Sequence, residues 1–511
     1  MGQTSSTSPR LEMRGVRKYF ASSGVLAVAD VSLEVWPGEV VAIIGENGTG
    51  KSTLMNILFG VHTPDAGTIH IDGQQRQIRN PQDAIDAGLG MVHQHFELVP
   101  GFTVAQNVLL GREPAKRGFY DDRAARDHVA QVAKAAGLEI DPARRVSELA
   151  IGAQQRVEIL KALAADARTV IFDEPTAVLT PSEARELLGM IRGLAARGHS
   201  VLFISHKLPE VQEVADRIIV MRRGEVVANL VRGEADDAEL ARLMVGREVH
   251  SPEIRPVTGE RRPVLEGRGL HLGGFAADPD ATFDLDVRSG EVLGIAGVSG
   301  NGQDELIEAI AGLVPLADGE LRLESTDLTP LSPVRRRAAG IAHIAEDRMR
   351  VGLNLDATLE ENAAATAYRS RRFSRYGLIR RRARRQSATR LIADYEVRGG
   401  APTRVVRSLS GGNLQKIVIG RELDGQPSLV LANQPTRGLD VGSIEFVHRA
   451  LLSAGEDGAG VLLVSTELDE IFALSHRIAV MYRGQLIGPY PREAVDRERI
   501  GRIMAAGKEA A

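Results

Sequence analysis

Short apolar runs alternate with amphipathic stretches along almost the whole chain. Residues 39–44, 169–172 and 201–204 are compact, mostly apolar runs, typical of strands buried on both faces of a parallel sheet. Stretches such as residues 52–59 and 151–165 have the periodicity of helices. This alternation predicts an α/β fold.

The same pattern occurs twice. Residues 217–224 (RIIVMRRG) recur as 477–484 (RIAVMYRG), and residues 37–40 (PGEV) recur as 289–292 (SGEV). We therefore predict two similar domains, residues 10–250 and 264–505, which a chain of 511 residues can accommodate. Residues 251–263, rich in proline and charge, are the predicted linker. Residues 1–9 and 506–511 are predicted to be flexible tails.

Composition narrows the functional classes. The chain has 43% hydrophobic and 25% charged residues, as folded soluble proteins do. It has no apolar run near the length of a membrane span and no segment of signal-peptide type at its start. The lack of cysteine excludes disulfides and cysteine zinc sites. With a net charge of −4, nucleic acid is not an expected partner.

Residues 45–53 (GENGTGKST) match the phosphate-binding P-loop. The motif lies between a predicted strand and a predicted helix, where backbone N–H groups and the helix dipole favour an anion. Lys51 is expected to reach the β- and γ-phosphates, and the Ser52 hydroxyl to bind Mg²⁺. The predicted nucleotide-binding residues of this loop are Gly45, Asn47, Gly48, Gly50, Lys51, Ser52 and Thr53.

Polar residues follow three other strands of this half. Asp173 and Glu174 end one strand, His206 follows another, and Gln94 follows a third. The carboxyl ends of parallel strands line one crevice. We expect Asp173 to hold Mg²⁺, Glu174 to polarise the attacking water and His206 to contact the γ-phosphate. Gln94 either contacts Mg²⁺ or water, or caps a loop.

Two further features of this half have competing interpretations. Tyr19 and Phe20 precede the P-loop, and either one stacks on adenine or both are ordinary core aromatics. His93 and His95 have the spacing of a metal pair, but no third ligand is nearby in sequence. We interpret both histidines as structural.

The second half keeps the turn glycines and loses the catalytic groups. A carboxylate replaces the hydroxyl that would bind Mg²⁺, and like charges about 4 Å apart repel by a few kcal/mol at an effective dielectric constant of about 20. The replacements are Gln303 for Lys51, Asp304 for Ser52, Asn433 and Gln434 for Asp173 and Glu174, Glu346 for Gln94 and Thr466 for His206.

A segment that opens a helix shortly before the strand-end pair, here called the signature-like segment, is better suited to contact phosphate in the second half. Ser410, Gly411 and Gly412 open a predicted helix in LSGGN, whereas the first half reads LAIGA at residues 149–153. A hydroxyl bonded to a phosphate contributes about 1.5–3 kcal/mol. Asp440 likewise follows the second strand-end pair, where the first half has Thr180.

The P-loop, Gln94, the signature-like segment, Asp173–Glu174 and His206, in this order, resemble ATP-binding cassette (ABC) ATPases. The chain looks closest to tandem-cassette ATPases of bacterial simple-sugar and nucleoside importers. The segments most similar to the nucleoside branch are residues 91–96 (MVHQHF), 173–180 (DEPTAVLT) and 434–442 (QPTRGLDVG).

This resemblance implies two tandem P-loop NTPase domains, each with a mainly parallel sheet core, an antiparallel β part and a helical subdomain. It also implies ATP and Mg²⁺ as cofactors, transmembrane permease subunits, an extracytoplasmic substrate-binding protein and a peripheral position on the cytoplasmic face of the membrane. Cassettes of this family pair head to tail. One site would then unite all intact parts, Lys51, Asp173, Glu174 and His206 with Ser410, Gly411, Gly412 and Asp440, and the other would be degenerate.

Other functions make different predictions. An importer ATPase for ribose- or galactose-type sugars is the nearest alternative. Resemblance to a soluble tandem-cassette ATPase acting on ribosomes would predict a long charged linker and two intact sites, and a DNA-repair cassette protein would carry zinc-binding cysteines. A regulatory module without turnover would not need Glu174 and His206.

Residues 369–385 contain nine arginines. We interpret them first as a solvated helical face and second as a membrane-surface contact. With Phe373 and Tyr376 as the only aromatics of this stretch, an RNA-stacking surface has little support.

Overall fold

The computed structural model describes residues 8–21, 24–93, 96–116, 118–176, 179, 181–248, 254, 261–273 and 282–507. Gln94, most of the predicted linker and most of both predicted tails lie outside these residues. The chain divides into two compact units, residues 1–249 and 250–511.

The first unit is built on one mixed sheet. Its described strands are β1 (Leu11–Phe20), β2 (Val25–Val35), β3 (Val40–Ile44), β4 (Ala66–Ile71), β5 (Gln74–Arg76), β6 (Leu89–Val92), β7 (Ala115–Lys116), β8 (Phe119–Tyr120), β9 (Thr169–Asp173), β10 (Ser200–Ile204), β11 (Arg217–Arg222) and β12 (Glu225–Val231). Within the described residues the sheet order is β5-β4-β1-β2-β12-β11-β3-β10-β9-β6, with β7 and β8 forming a separate hairpin.

The centre of this sheet is parallel and its far side is antiparallel. Strand β3 pairs in parallel with β10 and β11, and β9 pairs in parallel with β10 and β6. Strands β1, β2, β4 and β5 pair antiparallel. All five residues of β3 are buried, as its unbroken apolar run predicts.

The helices of the first unit surround this sheet. They are α1 (Lys51–Leu58), α2 (Pro81–Asp86), α3 (Val104–Val108), α4 (Asp122–Ala136), α5 (Ile151–Ala164), α6 (Pro181–Ala196), α7 (Leu208–Val214) and α8 (Asp237–Val245). Helices α3, α4 and α5 pack on one another and form the predicted helical part. Side chains of α1 and of β3, β9 and β10 share one core, which fixes the P-loop relative to the strand ends.

The second unit repeats this plan with two separate sheets. Its strands are β13 (Pro263–His271), β14 (Phe283–Arg288), β15 (Val292–Ala296), β16 (Asp318–Leu323), β17 (Thr326–Asp327), β18 (Ile341–Ile344), β19 (Ser374–Arg375), β20 (Leu378–Ile379), β21 (Leu429–Asn433), β22 (Gly460–Ser465), β23 (Arg477–Tyr482) and β24 (Gln485–Pro491). The mainly parallel sheet has the order β18-β21-β22-β15-β23-β24, and the antiparallel one β14-β13-β16-β17.

The helices of the second unit complete the repeat. They are α9 (Gln303–Ala311), α10 (Pro333–Ala338), α11 (Leu359–Ala364), α12 (Arg381–Asp394), α13 (Gly411–Leu423), α14 (Val441–Glu456), α15 (Leu468–Leu474) and α16 (Arg497–Ala506). Helices α11, α12 and α13 pack together as the helical part. The predicted fold class is therefore confirmed: each unit has a mainly parallel core, an antiparallel part and a helical part.

The arginine-rich stretch is helical only at its end. Helix α12 begins at Arg381, and the residues before it form a turn and the β19–β20 hairpin. The prediction of a single helical face was wrong for this part, because Tyr376 and Gly377 both have positive φ and reverse the chain. In the parts of the chain that the structure describes, none of the helices combines the length and apolarity needed to cross a membrane.

Candidate nucleotide-binding site

The P-loop of the first unit has a backbone that only glycine allows at two points. Gly45 and Gly50 have φ angles of 157° and 99°. A Cβ atom at Gly45 would lie 2.2 Å from the Met221 carbonyl oxygen, and one at Gly50 would lie 2.2 Å from that of Ala27. Helix α1 begins at Lys51, directly after this turn. Its first N–H groups lack helical partners and are placed to bind phosphate.

The buried Lys51 side chain crosses the loop. Its Nζ donates hydrogen bonds to the carbonyl oxygens of Gly45 at 2.7 Å and Glu46 at 2.9 Å. Lys51 is 5% exposed. A cation held at this place lies where a bound phosphate chain would develop negative charge.

Asp173 is the last residue of β9 and Glu174 follows it, and the pKa values of these two carboxyl groups are shifted in opposite directions. Burial raises the pKa of Asp173 and repulsion by Glu174 raises it further, while Lys51 and a hydrogen bond from Ser52 oppose the rise. Burial also acts to raise the pKa of Glu174. The hydrogen bond and charge of His206, together with Lys51, outweigh it and bring the pKa of Glu174 below its ordinary value. Glu174 is therefore ionised at neutral pH.

His206 lies against Glu174. The His206 Nδ1 atom is 3.2 Å from Glu174 Oε1, and both side chains are mostly buried. Glu174 has a φ of 46°, and its N–H donates to the Ile204 carbonyl oxygen at 3.0 Å. This hydrogen bond ties the end of β9 to β10, the strand that precedes His206.

A brace that sequence reasoning missed joins the same two strand ends. Glu210 Oε2 accepts hydrogen bonds from Thr176 Oγ1 at 2.7 Å and from Ser205 Oγ at 3.2 Å. The Ser205 hydroxyl in turn accepts from the Lys207 N–H at 3.1 Å. Glu210 is thereby placed to hold the loops that carry Glu174 and His206. Only the tertiary contact reveals it, because no motif spacing distinguishes Glu210 from other helix glutamates.

The structure bears differently on the remaining predicted residues of the first unit, which are Gln94, Phe20 and the two histidines. Gln94 and His95 lie outside the described residues. Phe20 ends β1, and its ring meets the His62 ring edge-on at a centroid distance of 5.2 Å. Stacking of Phe20 on adenine stays a prediction. The His93 Nε2 atom lies 3.7 Å from Glu97 Oε2. This pairing suits the interpretation of His93 as a structural residue.

The corresponding loop of the second unit is occupied by its own side chains. Gln303 Oε1 accepts the Asn301 N–H at 3.2 Å, and Gln303 Nε2 donates to the Val298 carbonyl oxygen at 3.1 Å. Asn433 Nδ2 donates to Asp304 Oδ1 at 2.7 Å. The amide of Gln303 thus holds the loop as Lys51 does in the first unit, but it brings no charge and uses one loop N–H.

The remaining strand-end positions of the second unit keep the geometry without the chemistry. Gln434 has a φ of 47°, close to that of Glu174, and its Oε1 accepts from the Thr466 N–H at 3.2 Å and hydroxyl at 3.3 Å. Glu346 is held in an ion pair with Arg437. The two positions at the end of β21, Asn433 and Gln434, are both amides and carry no carboxylate.

The signature segment of the second unit presents a hydroxyl at a helix start. Ser410 is the N-cap residue of α13, and its Oγ accepts from Asn413 Nδ2 at 2.8 Å. Its hydroxyl hydrogen can still donate to an acceptor. Asp440 caps α14 by accepting the Ser443 N–H at 2.8 Å. In the first unit, Ala150 is the N-cap residue of α5 and has no side-chain oxygen to offer.

Arg348 is a second residue that sequence reasoning missed. Its Nη1 donates to the Arg437 carbonyl oxygen at 2.8 Å, and its Nη2 lies 2.9 Å from the place where a Cβ atom of Gly411 would be. It therefore joins the segment after β18 to the segment before Asp440 and approaches the start of α13. Its position in the sequence gave no signal for this role.

Ser52 and Asp173 of the first unit suit a Mg²⁺ ion that binds together with a phosphate ligand. The described residues contain no group of three His, Cys, Asp or Glu side chains that would hold a metal ion alone. The Ser52 hydroxyl and the half-buried Asp173 carboxylate share a hydrogen bond at the loop, and a bound cation would offset the cost of removing this carboxylate from water. Mg²⁺ characteristically uses one or two such oxygens together with phosphate oxygens and water.

A strand–P-loop–helix unit with a buried lysine and a strand-end glutamate paired with histidine defines the class of P-loop ATPases. The model of the ABC transporter family matches residues 28–177 and 281–437. The chain belongs to this family and is an ATP-binding ATPase coupled to transport.

Its relatives cover nearly its whole length. The chain is 41% identical to the nucleoside import ATP-binding protein NupA of Lactococcus lactis, over 97% of this chain and 98% of that protein. It is 42% identical to the guanosine import ATP-binding protein NupO of Bacillus subtilis, over 98% of both. It is 43% identical to the glucose import ATP-binding protein TsgD13 of Haloferax volcanii, over 98% of this chain and 96% of that protein.

A solved structure shares the fold of the whole chain. The crystal structure of an archaeal ribosome recycling factor, in complex with a ribosomal stalk protein, covers 96% of this chain and 92% of its own with a TM-score of 0.62. At 21% sequence identity this similarity shows the fold alone.

Proposed function

We propose that the chain is the ATP-hydrolysing subunit of an importer for nucleosides. The observation that carries this proposal is the contact between Glu174 and His206 in the unit that also holds the buried Lys51. These groups would polarise the attacking water and stabilise the charge on phosphate. The two relatives named for nucleoside and guanosine import support the substrate class.

The proposal includes one hydrolytic site made from both units. Lys51, Ser52, Asp173, Glu174 and His206 would act with Ser410, Gly411, Gly412 and Asp440 on one ATP. Support comes from the complementary losses, since the unit with the intact P-loop has the poorer signature segment and the other unit has the reverse. Paired otherwise, each site would lack an essential part.

In this site each residue has a distinct task. Glu174, ionised and oriented by His206, would accept a hydrogen bond from the attacking water. Lys51 would stabilise the charge that develops on the γ-phosphate, and the Ser410 hydroxyl would donate to it. Ser52, Asp173 and Gln94 would hold Mg²⁺, which supplies further charge neutralisation on the phosphates.

The partners follow from the transport role. We propose that permease subunits in the membrane receive the helical parts between residue 94 and α5 and between β18 and α13. An extracytoplasmic substrate-binding protein would deliver the substrate. The chain would then lie on the cytoplasmic face of the membrane, bound peripherally.

Uptake by cells tests the proposal. Cells that carry Lys51→Ala in place of the normal gene should lose uptake of labelled nucleoside and keep uptake of labelled ribose. A purified Lys51→Ala chain should at the same time lose ATP hydrolysis, which separates a failed active-site assignment from a failed substrate assignment. Nucleoside uptake that continues in these cells would contradict the proposal.

Import of a simple sugar is the second candidate. It is favoured by the 43% identity to a glucose import protein and by 40% identity to a ribose import ATP-binding protein of Rubrobacter xylanophilus. Loss of ribose or glucose uptake with nucleoside uptake intact would establish it instead.

A further inference from the structure

The second unit projects a basic hairpin from its helical part. Residues 369–385, here called the arginine hairpin, contain β19 and β20 joined by the turn Tyr376–Gly377. These two turn residues have φ angles of 52° and 79°, as a two-residue hairpin turn requires. Asparagine suits the first position far better than tyrosine. The conformation of the turn therefore does not explain the choice of tyrosine, which points to a contact made by the Tyr376 side chain outside the turn.

The tip of the arginine hairpin is apolar and open to solvent. Tyr376 is 90% exposed, Leu378 75% and Ile379 50%. Phe373, in contrast, is buried and anchors the base of the hairpin. Three adjacent large apolar side chains held away from the core are typical of a surface that is covered in use.

A positive surface surrounds this tip. The arginine hairpin contains no acidic residue, and only part of its charge is neutralised from outside. Arg372 pairs with Asp424, and Arg384 and Arg385 pair with Glu360. Of the exposed arginines of the arginine hairpin, all of which the structure describes, four have neither an ion pair with an acid nor a side-chain hydrogen bond: Arg371, Arg375, Arg381 and Arg382.

We propose that the arginine hairpin binds an anionic membrane surface directly. The unpaired arginines would attract lipid headgroups, while Tyr376, Leu378 and Ile379 enter the interfacial layer. Arg375 lies over the Tyr376 ring at 5.2 Å and keeps its charge beside the apolar tip. Nucleic acid suits this tip less, because Leu378 and Ile379 provide no stacking surface.

The first unit provides a natural comparison. Its hairpin β7–β8 lies at the same place in the fold and exposes 80% of Phe119. Residues 112–126 around it contain five bases and three acids, a net charge of +2, whereas the arginine hairpin has nine arginines and no acid. Lipid binding is therefore assigned to the second unit alone.

Vesicle co-sedimentation of the purified full chain tests this assignment. The chain should bind vesicles of phosphatidylcholine with phosphatidylglycerol and not vesicles of phosphatidylcholine alone, and high salt should release it. Replacing Arg371, Arg375, Arg381 and Arg382 by Gln should weaken binding by on the order of tenfold or more. Tyr376→Asn with Leu378→Thr should also weaken it, and both replacements suit the local backbone.

The controls separate the proposal from its alternatives. Phe119→Ser, in the other hairpin, should leave vesicle binding unchanged, and none of these variants should alter ATP hydrolysis by the purified chain. Absence of binding to anionic vesicles, or binding that both hairpin variants retain, would overturn the proposal. Binding that appears only when the vesicles contain permease would also overturn it and assign the tip to a protein partner. None of these outcomes bears on the importer function, which the uptake experiment tests.

Discussion

At the scale of single residues, Glu174 and Gln434 are a matched pair with different chemistry. Both follow a buried strand with nearly equal positive φ, and both contact the residue that follows the next strand, His206 or Thr466. Only Glu174 carries a charge that can polarise water. The two units thus share the backbone conformation at this position, and the side chain determines whether the residue can polarise water.

Glu174→Gln should lower ATP hydrolysis by about 10²–10⁴-fold, the range over which a positioned acid or base contributes. Binding of ATP should persist, because the P-loop is unchanged. Phosphate release measures the first effect and retention of labelled ATP the second. Gln434→Glu is the control and should leave the rate unchanged. Turnover of Glu174→Gln at the normal rate would remove Glu174 from the mechanism.

Removing the carboxylate of Asp173 should stabilise the folded chain. Its pKa is raised by burial and by Glu174. A carboxyl whose pKa is higher in the folded than in the unfolded state destabilises the fold once it is ionised, by about 1.4 kcal/mol for each unit of the difference. The penalty is absent below the unfolded pKa and complete above the folded one.

Asp173→Asn should therefore raise the melting temperature at neutral pH in the absence of nucleotide and Mg²⁺, with a smaller gain in acid. Thermal unfolding at several pH values measures this. The matched variant Asn433→Asp should do the opposite, because it places a second carboxylate beside Asp304 in the second unit. An unchanged or lower melting temperature for Asp173→Asn at neutral pH would contradict the electrostatic description.

At the scale of elements, the two strand–loop–helix segments differ in the charged side chains at the start of the helix. Helix α1 has no acidic residue in its first turn, whereas α9 has Asp304 and Glu305 there. An acid at a helix N-terminus takes the favourable interaction that a phosphate would otherwise make. Gln303 and Asn433 complete the same effect with hydrogen bonds.

We therefore expect the full chain to bind one molecule of Mg·ATP. Isothermal titration of the purified chain measures this stoichiometry, and Lys51→Ala should abolish the single event. The triple replacement Gln303→Lys, Asp304→Ser and Asn433→Asp restores the groups of the first unit and should add a second event. Two binding events in the unaltered chain would show that the self-bonded loop still opens for nucleotide.

At the scale of the whole molecule, the proposed hydrolytic site predicts an effect between residues that are far apart in the sequence. Ser410→Arg should lower ATP hydrolysis at least about 10-fold, because it removes a hydroxyl whose hydrogen bond to phosphate contributes about 1.5–3 kcal/mol and adds bulk. Ala150→Arg, at the corresponding residue of the first unit, should have little effect. Steady-state hydrolysis by the two purified variants is the measurement. Equal rates for both would contradict the cross-paired arrangement.

The sequence by itself determined the repeat, the fold class and the place of the first P-loop between a strand and a helix. These features are local, because a strand, a glycine turn and a helix form one continuous segment whose pattern is visible in the residue order. The strand-end position of Asp173 and Glu174 was equally visible, since it depends only on where an apolar run ends. The same local logic showed which groups the second unit has lost.

Only the tertiary structure decided how distant side chains use these positions. The contact of His206 with Glu174, the Glu210 brace and the bond from Asn433 to Asp304 each join segments that are separate in sequence. The arginine hairpin was misjudged for a related reason, because a two-residue turn with positive φ at a tyrosine leaves no clear signal in the sequence. Such contacts depend on how strands pack and side chains orient, which residue order alone does not specify.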